Sequence, residues 1–341
     1  MKNKLCSIIF IFLTLLCLTG CNDKKKSPVD ENKKPDNQVN EPVPEKKEIQ
    51  IINMNSDSRP YAVVINNFPS AVKVQTGLSD AYLVYEIPVE GGLVRSLAFF
   101  KDKTTAKVGT VRSARHNFLD YIMENDAIFV HFGWSTYAKE QIPKLGINNI
   151  NGLNEPPFWR ENPEKLATEH TAYTSLEKIK SYIQTKGYRK TTDNKGVLNY
   201  STSEIDLSKK DGIVANTVNV PYSGSYSVRY VYNSENKNYS RYVNGNAHID
   251  YFTKEHYTAK NIIITKIDYS KMPDNYCLDL HNIGTGEGYY ITDGYAVPIT
   301  WEKKTRESKT IYKYKDGTQI NVNDGNTFIM LHPINKDITI E

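Results

Sequence analysis

The chain has 341 residues, of which 24% are charged and 39% are hydrophobic, and its formal net charge is +4 at neutral pH. This length allows two domains, each with a core of its own. A charge so close to balance provides no general attraction for polyanions, so we expect no nucleic-acid partner.

Residues 1–20 are typical of a secretory signal. Lys2 and Lys4 precede the apolar run LCSIIFIFLTLLCLTG, which is short for a membrane span. The segment LTGC at 18–21 resembles the lipobox of bacterial lipoproteins, which implies cleavage before Cys21 and lipidation of its sulfur. Cys21 would then link the chain to the lipid bilayer, at the extracytoplasmic face of the bacterial cell membrane. An ordinary secretory signal with a chance cysteine is the alternative.

A disordered tether is predicted for residues 21–55. Residues 22–50 contain no aromatic side chain and are rich in Lys, Glu, Asp, Asn and Pro, a composition that buries too little apolar area to fold. After cleavage, Cys277 would be the only cysteine besides the lipid site, which excludes an intramolecular disulfide and a cysteine-rich metal centre. We expect neither a metal nor another cofactor.

Residues 56–190 predict a mixed α/β domain. Apolar alternation predicts strands at 61–67, 83–90, 93–100 and 127–134. Helical spacing predicts helices after residue 113, at 136–146 and at 174–188. A Thr/Ser cap opens the last helix and Gly187 closes it.

Residues 191–212 are polar and predict a linker, and residues 213–341 predict a β-rich domain. Runs of Tyr, Val and Ile are separated there by Asn-Gly and Asp-Gly turns, which indicates antiparallel hairpins. The predicted fold class is therefore α+β, a mixed α/β N-terminal domain followed by a mainly antiparallel all-β C-terminal domain.

A predicted hairpin carries three ionisable residues in an otherwise apolar stretch, YEIPVEGGLVRSLAFF. If the glycines at 91–92 form the turn, Arg95 faces Pro88, and Glu86 and Glu90 are its diagonal neighbours on the same face. The sequence therefore predicts a row of carboxylate, guanidinium and carboxylate. The Cα atoms of the two glutamates would lie about 13 Å apart, and the arginine between them favours ion pairs over a glycosidase pair.

A second charged group follows in VGTVRSARHNF at 108–118. The pattern predicts a strand, a loop and a helix with Ser113 as its N-cap, which puts His116 in the first turn. Arg112 and Arg115 beside a helix N-terminus would form an anion site, because free N–H groups and guanidinium groups favour negative charge. The anion is either a ligand or one of the hairpin glutamates, and both possibilities stay open.

The last candidates are His131 and Trp134 in FVHFGW, at the end of a predicted buried strand. A single histidine at such a position is more often part of the core than a ligand-binding group. Several polar and aromatic residues near one end of a sheet nevertheless favour a pocket. The candidate ligand-binding residues are Arg95, Arg112, Arg115, His116, His131 and Trp134.

Four motifs, RPYAVVINN, QTGLSDAYLVYEIPVEGGLVR, VGTVRSARHNFLD and AIFVHFGWS, resemble signatures of the YerB family of bacterial lipoproteins, a domain of unknown function. A weaker resemblance covers the β-rich part, notably GEGYYITDGYAVPITWEK and DGTQINVNDGNTFIML. The resemblance implies an envelope location and a two-part architecture. It supplies no reaction and no catalytic residue.

These observations lead to one preferred function and two alternatives. The preferred interpretation is a membrane-anchored envelope protein that binds a cell-wall glycan, an anionic envelope polymer or a wall-synthesis protein. The three arginines would hold the anion, and Trp134 or Phe132 would stack on a sugar. The first alternative is a cell-wall-active enzyme, a glycan hydrolase, lytic enzyme or phosphotransferase, which requires Glu86 or Glu90 exposed in a cleft as acid or base. The second is a buried ion network that only fixes the fold.

Overall fold

The computed structural model describes residues 48–341. The predicted signal peptide, the lipidation site Cys21 and the tether up to residue 47 lie outside the described residues. Within residues 48–341, no helix combines the length and the hydropathy that a membrane span requires.

The last part of the predicted tether, residues 48–55, packs on the folded chain. The backbone N–H groups of Gln50 and Ile51 donate to the two carboxylate oxygens of Asp324 at 2.8 and 3.0 Å. The isoleucines at 49–52 contact the main apolar core. The folded part therefore begins before residue 56, where the sequence predicts the start of the first domain. The prediction missed these residues because three isoleucines are few among the many charged residues of the stretch.

Four short α-helices occur in the described residues, α1 (Pro69–Val72), α2 (Phe118–Glu124), α3 (Thr136–Lys144) and α4 (Leu176–Lys186). Ser135 and Ser175 cap α3 and α4, since each side chain accepts a hydrogen bond from the backbone N–H three residues ahead. Gly187 ends α4 in the left-handed conformation, which confirms the predicted boundary of this helix.

Apart from short 3₁₀ turns, the remaining regular structure of residues 48–341 consists of strands. Those of the first half are β1 (Tyr61–Asn66), β2 (Leu83–Pro88), β3 (Val94–Phe100), β4 (Val108–Gly109), β5 (Ile128–His131), β6 (Asn149–Asn151), β7 (Phe158–Arg160) and β8 (Ala172–Thr174). Those of the second half are β9 (Tyr200–Ser201), β10 (Ile213–Val214), β11 (Thr217–Pro221), β12 (Ser227–Asn233), β13 (Asn238–Val243), β14 (Asn246–Ala247), β15 (Thr258–Ala259), β16 (Asn261–Ile267), β17 (Tyr269–Lys271), β18 (Leu278–Leu280), β19 (Gly284–Thr292), β20 (Tyr295–Lys303), β21 (Ile311–Tyr314), β22 (Val322–Asn323), β23 (Thr327–Pro333) and β24 (Thr339–Ile340).

The largest sheet has eleven strands in the order β10-β20-β19-β16-β23-β2-β3-β1-β5-β6, with β21 beside β20. Strand β23 lies between β16 and β2 and is parallel to both. Strands from residues 56–190 and from residues 213–341 are thus joined in one hydrogen-bonded sheet. The two predicted domains share this sheet, a connection that local sequence patterns do not reveal.

The predicted linker at 191–212 also belongs to the folded core. Its strand β9 pairs with β22, and Leu198 and Leu207 are buried in the apolar interior. The described residues accordingly belong to one compact unit. This unit is mainly β with few helices, in agreement with the coarse α+β prediction.

A second sheet of six strands, β14-β13-β12-β11-β24 with β15 beside β13, covers one face of the main sheet. Successive side chains of a strand point to opposite faces, so the main sheet contributes to two apolar layers. Tyr85 and Phe99 belong to the first layer, which helices α2 and α3 cover. Val84 belongs to the second, together with Tyr230 and Tyr239 of the six-stranded sheet.

A buried ion pair joins the two sheets. The Glu86 carboxylate of β2 accepts a hydrogen bond from Arg241 of β13, and neither side chain is more than 1% exposed. Burial lowers the pKa of Arg241, but the charge of Glu86 outweighs this effect and raises it above its ordinary value. Tyr226 donates to the same carboxylate oxygen at 3.1 Å. Arg241 also donates to Nδ1 of His248.

We expect Arg241→Met to lower the free energy of unfolding by about 3–5 kcal/mol, because the Glu86 carboxylate would stay buried without a cationic partner. The double replacement Glu86→Leu with Arg241→Met should restore much of this loss. Urea unfolding followed by tryptophan fluorescence measures both effects. The exposed pair Lys237–Glu204 is the control, and Lys237→Met should cost less than about 1 kcal/mol. Equal losses in the two single variants would contradict the prediction.

Candidate functional site

The hairpin β2–β3 closes through a different turn from the one predicted. Residues Glu90–Gly92 form a 3₁₀ turn in which both glycines have positive φ, 71° and 69°. Ile87 is therefore opposite Arg95, and Glu86 is opposite Ser96. A shift of one position moves a side chain to the other face of a sheet. The predicted row is thus wrong, because Glu86 and Arg95 lie on opposite faces.

Residues 112–115 do not begin a helix, and a turn at 116–117 leads into α2. Ala114 forms two backbone hydrogen bonds with residues 133–135, at 2.9 and 3.1 Å. Ser113 donates to a carbonyl of this neighbouring segment at 3.0 Å and caps no helix. Helix α2 begins only at Phe118. The predicted anion site at a helix N-terminus is therefore wrong, because strand-like pairing replaces the expected first turn.

Four of the predicted residues do come together, and we call Glu90, Arg95, Arg112 and Arg115 the arginine cluster. Arg115 binds both oxygens of the Glu90 carboxylate, with Nε 2.8 Å from Oε2. Arg95 lies 3.5 Å from Oε1 of Glu90, and it donates to the carbonyl of Ser113 at 2.6 Å. The Arg112 guanidinium makes no hydrogen bond or ion pair with any part of the chain that the structure describes.

The arginine cluster has an excess of positive charge, since three guanidinium groups surround one carboxylate. Burial and the charges of Arg115 and Arg112 lower the pKa of Arg95. Burial, together with Arg115, also lowers the pKa of Arg112, although Glu169 opposes this effect. Burial would raise the pKa of Glu90, but the hydrogen bonds and charges of the arginines lower it below its ordinary value. An anion bound beside Arg112 would relieve the repulsion.

Two residues that the sequence analysis missed flank the arginine cluster. Tyr276 is 61% exposed and lies in the turn between β17 and β18, close enough to affect the pKa of both Arg95 and Arg112. Cys277 is buried beside it, near Arg115. No sequence pattern indicates that a C-terminal hairpin lies over N-terminal arginines, so the tertiary structure alone reveals these neighbours.

The other three ligand-binding candidates, His116, His131 and Trp134, lie outside the arginine cluster. His116 lines a separate cavity. His131 is fully buried, with Nδ1 2.8 Å from the carbonyl of Gly133 and Nε2 3.1 Å from the side chain of Asn149. Trp134 packs against this ring at 5.5 Å between centroids and against the apolar core. His131 is therefore a core residue, and Trp134 is partly buried at the edge of the core.

The expected stacking of Phe132 on a sugar has little support in this geometry. The guanidinium of Arg160 lies over the Phe132 ring, 4.5 Å from its centroid. The ring of Phe158 contacts it edge-on at 5.7 Å. Neighbouring side chains thus already occupy the aromatic surface that a sugar would need.

Burial lowers the pKa of His131 to about 4, so we expect this residue to destabilise the protein in acid. The unfolded chain binds a proton near pH 6.5, but the native ring stays neutral down to about pH 4. Stability should therefore fall by roughly 3 kcal/mol as the pH decreases from 6.5 to 4. His131→Gln should remove this part of the pH dependence in urea unfolding curves. Parallel curves for wild type and variant would contradict the assignment.

Two family models match the chain. The N-terminal domain of the protein of unknown function DUF3048 matches residues 49–189, and the C-terminal domain of the same protein matches residues 218–329. The two matches together cover most of the part that the structure describes.

A relative and a solved structure agree with these models. YerB of Bacillus subtilis (strain 168), which is named as a lipoprotein, is 30% identical over 336 residues, 96% of this chain and 94% of that protein. The crystal structure of YerB from Bacillus subtilis is 29% identical and has a TM-score of 0.72, over 83% of this chain and 94% of that chain. These similarities confirm the family resemblance of the sequence motifs. The chain therefore belongs to the DUF3048 family and is a relative of YerB.

Proposed function

We propose that this protein is a lipid-anchored envelope protein that binds an anionic cell-wall component through the arginine cluster. Cys21 is the anchor, and the folded part lies on the extracytoplasmic side of the membrane. The similarity to a protein named as a lipoprotein supports the anchor, and the segment LTGC provides the cysteine. Two acyl chains would suffice for stable attachment.

The observation that carries the proposal is the unpaired guanidinium of Arg112. It is half-buried beside two other guanidinium groups, and Glu90 is already bound by Arg115 and Arg95. The three like charges repel one another, and Glu169 offsets this repulsion at Arg112 only in part, so a bound negative group would stabilise the arrangement. Phosphate and carboxylate groups match the planar N–H pattern of arginine. Wall polymers that repeat such groups are therefore the ligand class that fits best.

The catalytic alternative lacks a free carboxylate at the two predicted positions. Glu86 is fully buried and paired with Arg241, and both oxygens of Glu90 are bound by Arg115. A general acid or base must come within hydrogen-bond distance of the substrate. Binding is therefore the function that this geometry supports best.

We expect Arg112→Ala to weaken binding to purified wall sacculi by roughly tenfold or more, because charge-assisted hydrogen bonds to the ligand are lost. The full chain is solubilised in a detergent without a sugar headgroup, and the bound fraction is measured by co-sedimentation. Binding should weaken as the salt concentration rises. Sacculi from which acid has removed the phosphate-containing polymers test whether those polymers are the ligand.

Arg229→Ala provides the matched control, because Arg229 is exposed on β12 in the other sheet. This variant should bind like the wild type. Arg112→Ala should melt at the same or a higher temperature, since the replacement removes repulsion between like charges. Wild-type binding by Arg112→Ala would rule out the arginine cluster as the site. Soluble wall fragments released by the wild type, but not by Glu90→Gln, would establish the catalytic alternative instead.

A further inference from the structure

The side chain of His116 lines a cavity of about 300 Å³, whose lining includes none of the four residues of the arginine cluster. The cavity lies between α2, α3 and the C-terminal segment that contains β17 and β18. Its other polar or aromatic lining residues include Asp120, Tyr137, Asp279, Asn282 and Arg306. This volume is at the lower end of the range for small-molecule sites.

His116 is 9% exposed, yet neither ring nitrogen has a hydrogen-bond partner within residues 48–341. Buried polar atoms in folded proteins are normally bonded, so the missing partners call for a group that the described chain does not supply. Burial lowers the pKa of His116. The ring is therefore neutral at physiological pH, with one nitrogen that donates and one that accepts.

One hydroxyl group can bridge His116 and Asp279 from the side of the cavity. Nε2 of His116 lies 3.9 Å from Oδ1 of Asp279, too far for a direct hydrogen bond. Both ring nitrogens are covered by the chain, so the bridge requires a small rotation of the ring toward the cavity. An oxygen to one side of the pair can then lie about 2.8 Å from each atom, accept from the ring N–H and donate to the carboxylate. A hydroxyl group does both at once, whereas a phosphodiester or a carboxylate has no proton to donate to Asp279 at neutral pH.

The charges of the cavity differ from those of the arginine cluster. Asp120 is neutralised by Arg306, whose Nε lies 2.6 Å from its carboxylate, and Asn282 donates to Asp120 at 3.1 Å. Asp279 is half-exposed, and among the described residues neutral His116 is the only basic group within 4.0 Å of its carboxylate. The cavity is thus weakly negative and unsuited to an anion.

Apolar surface completes the lining. The Tyr137 ring lies 5.7 Å from the ring of His116, and Leu280 and Ile283 also line the cavity. Hydroxyl-binding groups on one side and apolar surface on another match the alternation of hydroxyl and C–H groups around a sugar ring.

We propose that this cavity is a second binding site that takes an uncharged, hydroxyl-rich ligand of the sugar class, with His116 and Asp279 sharing one ligand hydroxyl. The site is separate from the arginine cluster. It requires neither an anionic ligand nor the function proposed for that cluster.

Saturation-transfer difference NMR on the full chain tests this site, with glucose and N-acetylglucosamine as probes and a detergent without a sugar headgroup. The wild type should transfer saturation to the sugar C–H protons in a saturable manner. His116→Ala and Asp279→Asn should each weaken the apparent affinity at least tenfold. His281→Ala is the matched control, because this half-exposed histidine lies near the same hairpin. Arg112→Ala should leave the sugar signals unchanged.

Each other result overturns the proposal. No saturable transfer to either sugar would mean that the cavity holds only water. Binding of inorganic phosphate or ethanolamine in place of the sugars, lost in His116→Ala, would assign the cavity to a charged ligand. Equal sugar binding by His116→Ala, Asp279→Asn and wild type would place the sugar elsewhere. Asp279→Asn keeps the test valid if His116→Ala fails to fold, since Asp279 is half-exposed.

Discussion

The buried ion pair between Glu86 and Arg241 is the interaction on which the relative position of the two sheets depends. Arg241 can only donate hydrogen bonds, so Nδ1 of His248 must accept, and Nε2 then donates to Oε1 of Gln75 at 2.6 Å. The amide of Gln75 in turn donates to the backbone and side chain of residues 66–67, at 2.6 and 2.7 Å. Each hydrogen bond in this series therefore has only one possible donor and one possible acceptor. The network therefore specifies a single arrangement of β2, β13 and the loop after β1.

The same ion pair determines the charge of the candidate site. The hairpin contributes two glutamates, but its turn directs Glu86 to the six-stranded sheet, where Arg241 neutralises it. Of the two hairpin glutamates, only Glu90 is left to balance Arg95, Arg112 and Arg115, with Glu169 beside Arg112. If Glu86 had faced the arginines, the cluster would carry one more negative charge and would attract an anion less strongly. The hairpin thus divides its two glutamates between the two faces of the sheet, one in the buried ion pair and one in the arginine cluster.

Local patterns predicted the elements of the fold better than their connections. The caps of α4, the strands around residues 61–100 and the β-rich second half were all evident, because each leaves a signal within a few residues. The sheet that joins the two halves was not evident, because β2 and β23, which pair in it, are far apart in sequence. The start of α2 was misplaced, because Ser113 hydrogen-bonds to a neighbouring strand segment and not to a helix turn.

The residues of the candidate site were likewise easier to predict than their arrangement. Because they are close in sequence, Glu90, Arg95, Arg112 and Arg115 were predicted as one charged group, and the structure places them together. The separation of Glu86 from them depends on one residue of register, which the Gly-Gly pair does not specify. The neighbours Tyr276 and Asp279 come from a distant hairpin, and no periodicity indicates where that hairpin packs. Sequence therefore identified the charged groups, while the tertiary structure decided which of them share a site.

The position of β23 also has a consequence for how the protein folds. It is the last strand of the main sheet in sequence, yet it lies in the interior of that sheet, between β16 and β2. Both neighbours therefore expose an unpaired edge until residues 327–333 are in place. Contacts between such distant segments also make folding slow. A chain that stops before residue 327 would keep two open strand edges, by which chaperones and proteases can distinguish it from a chain that contains β23.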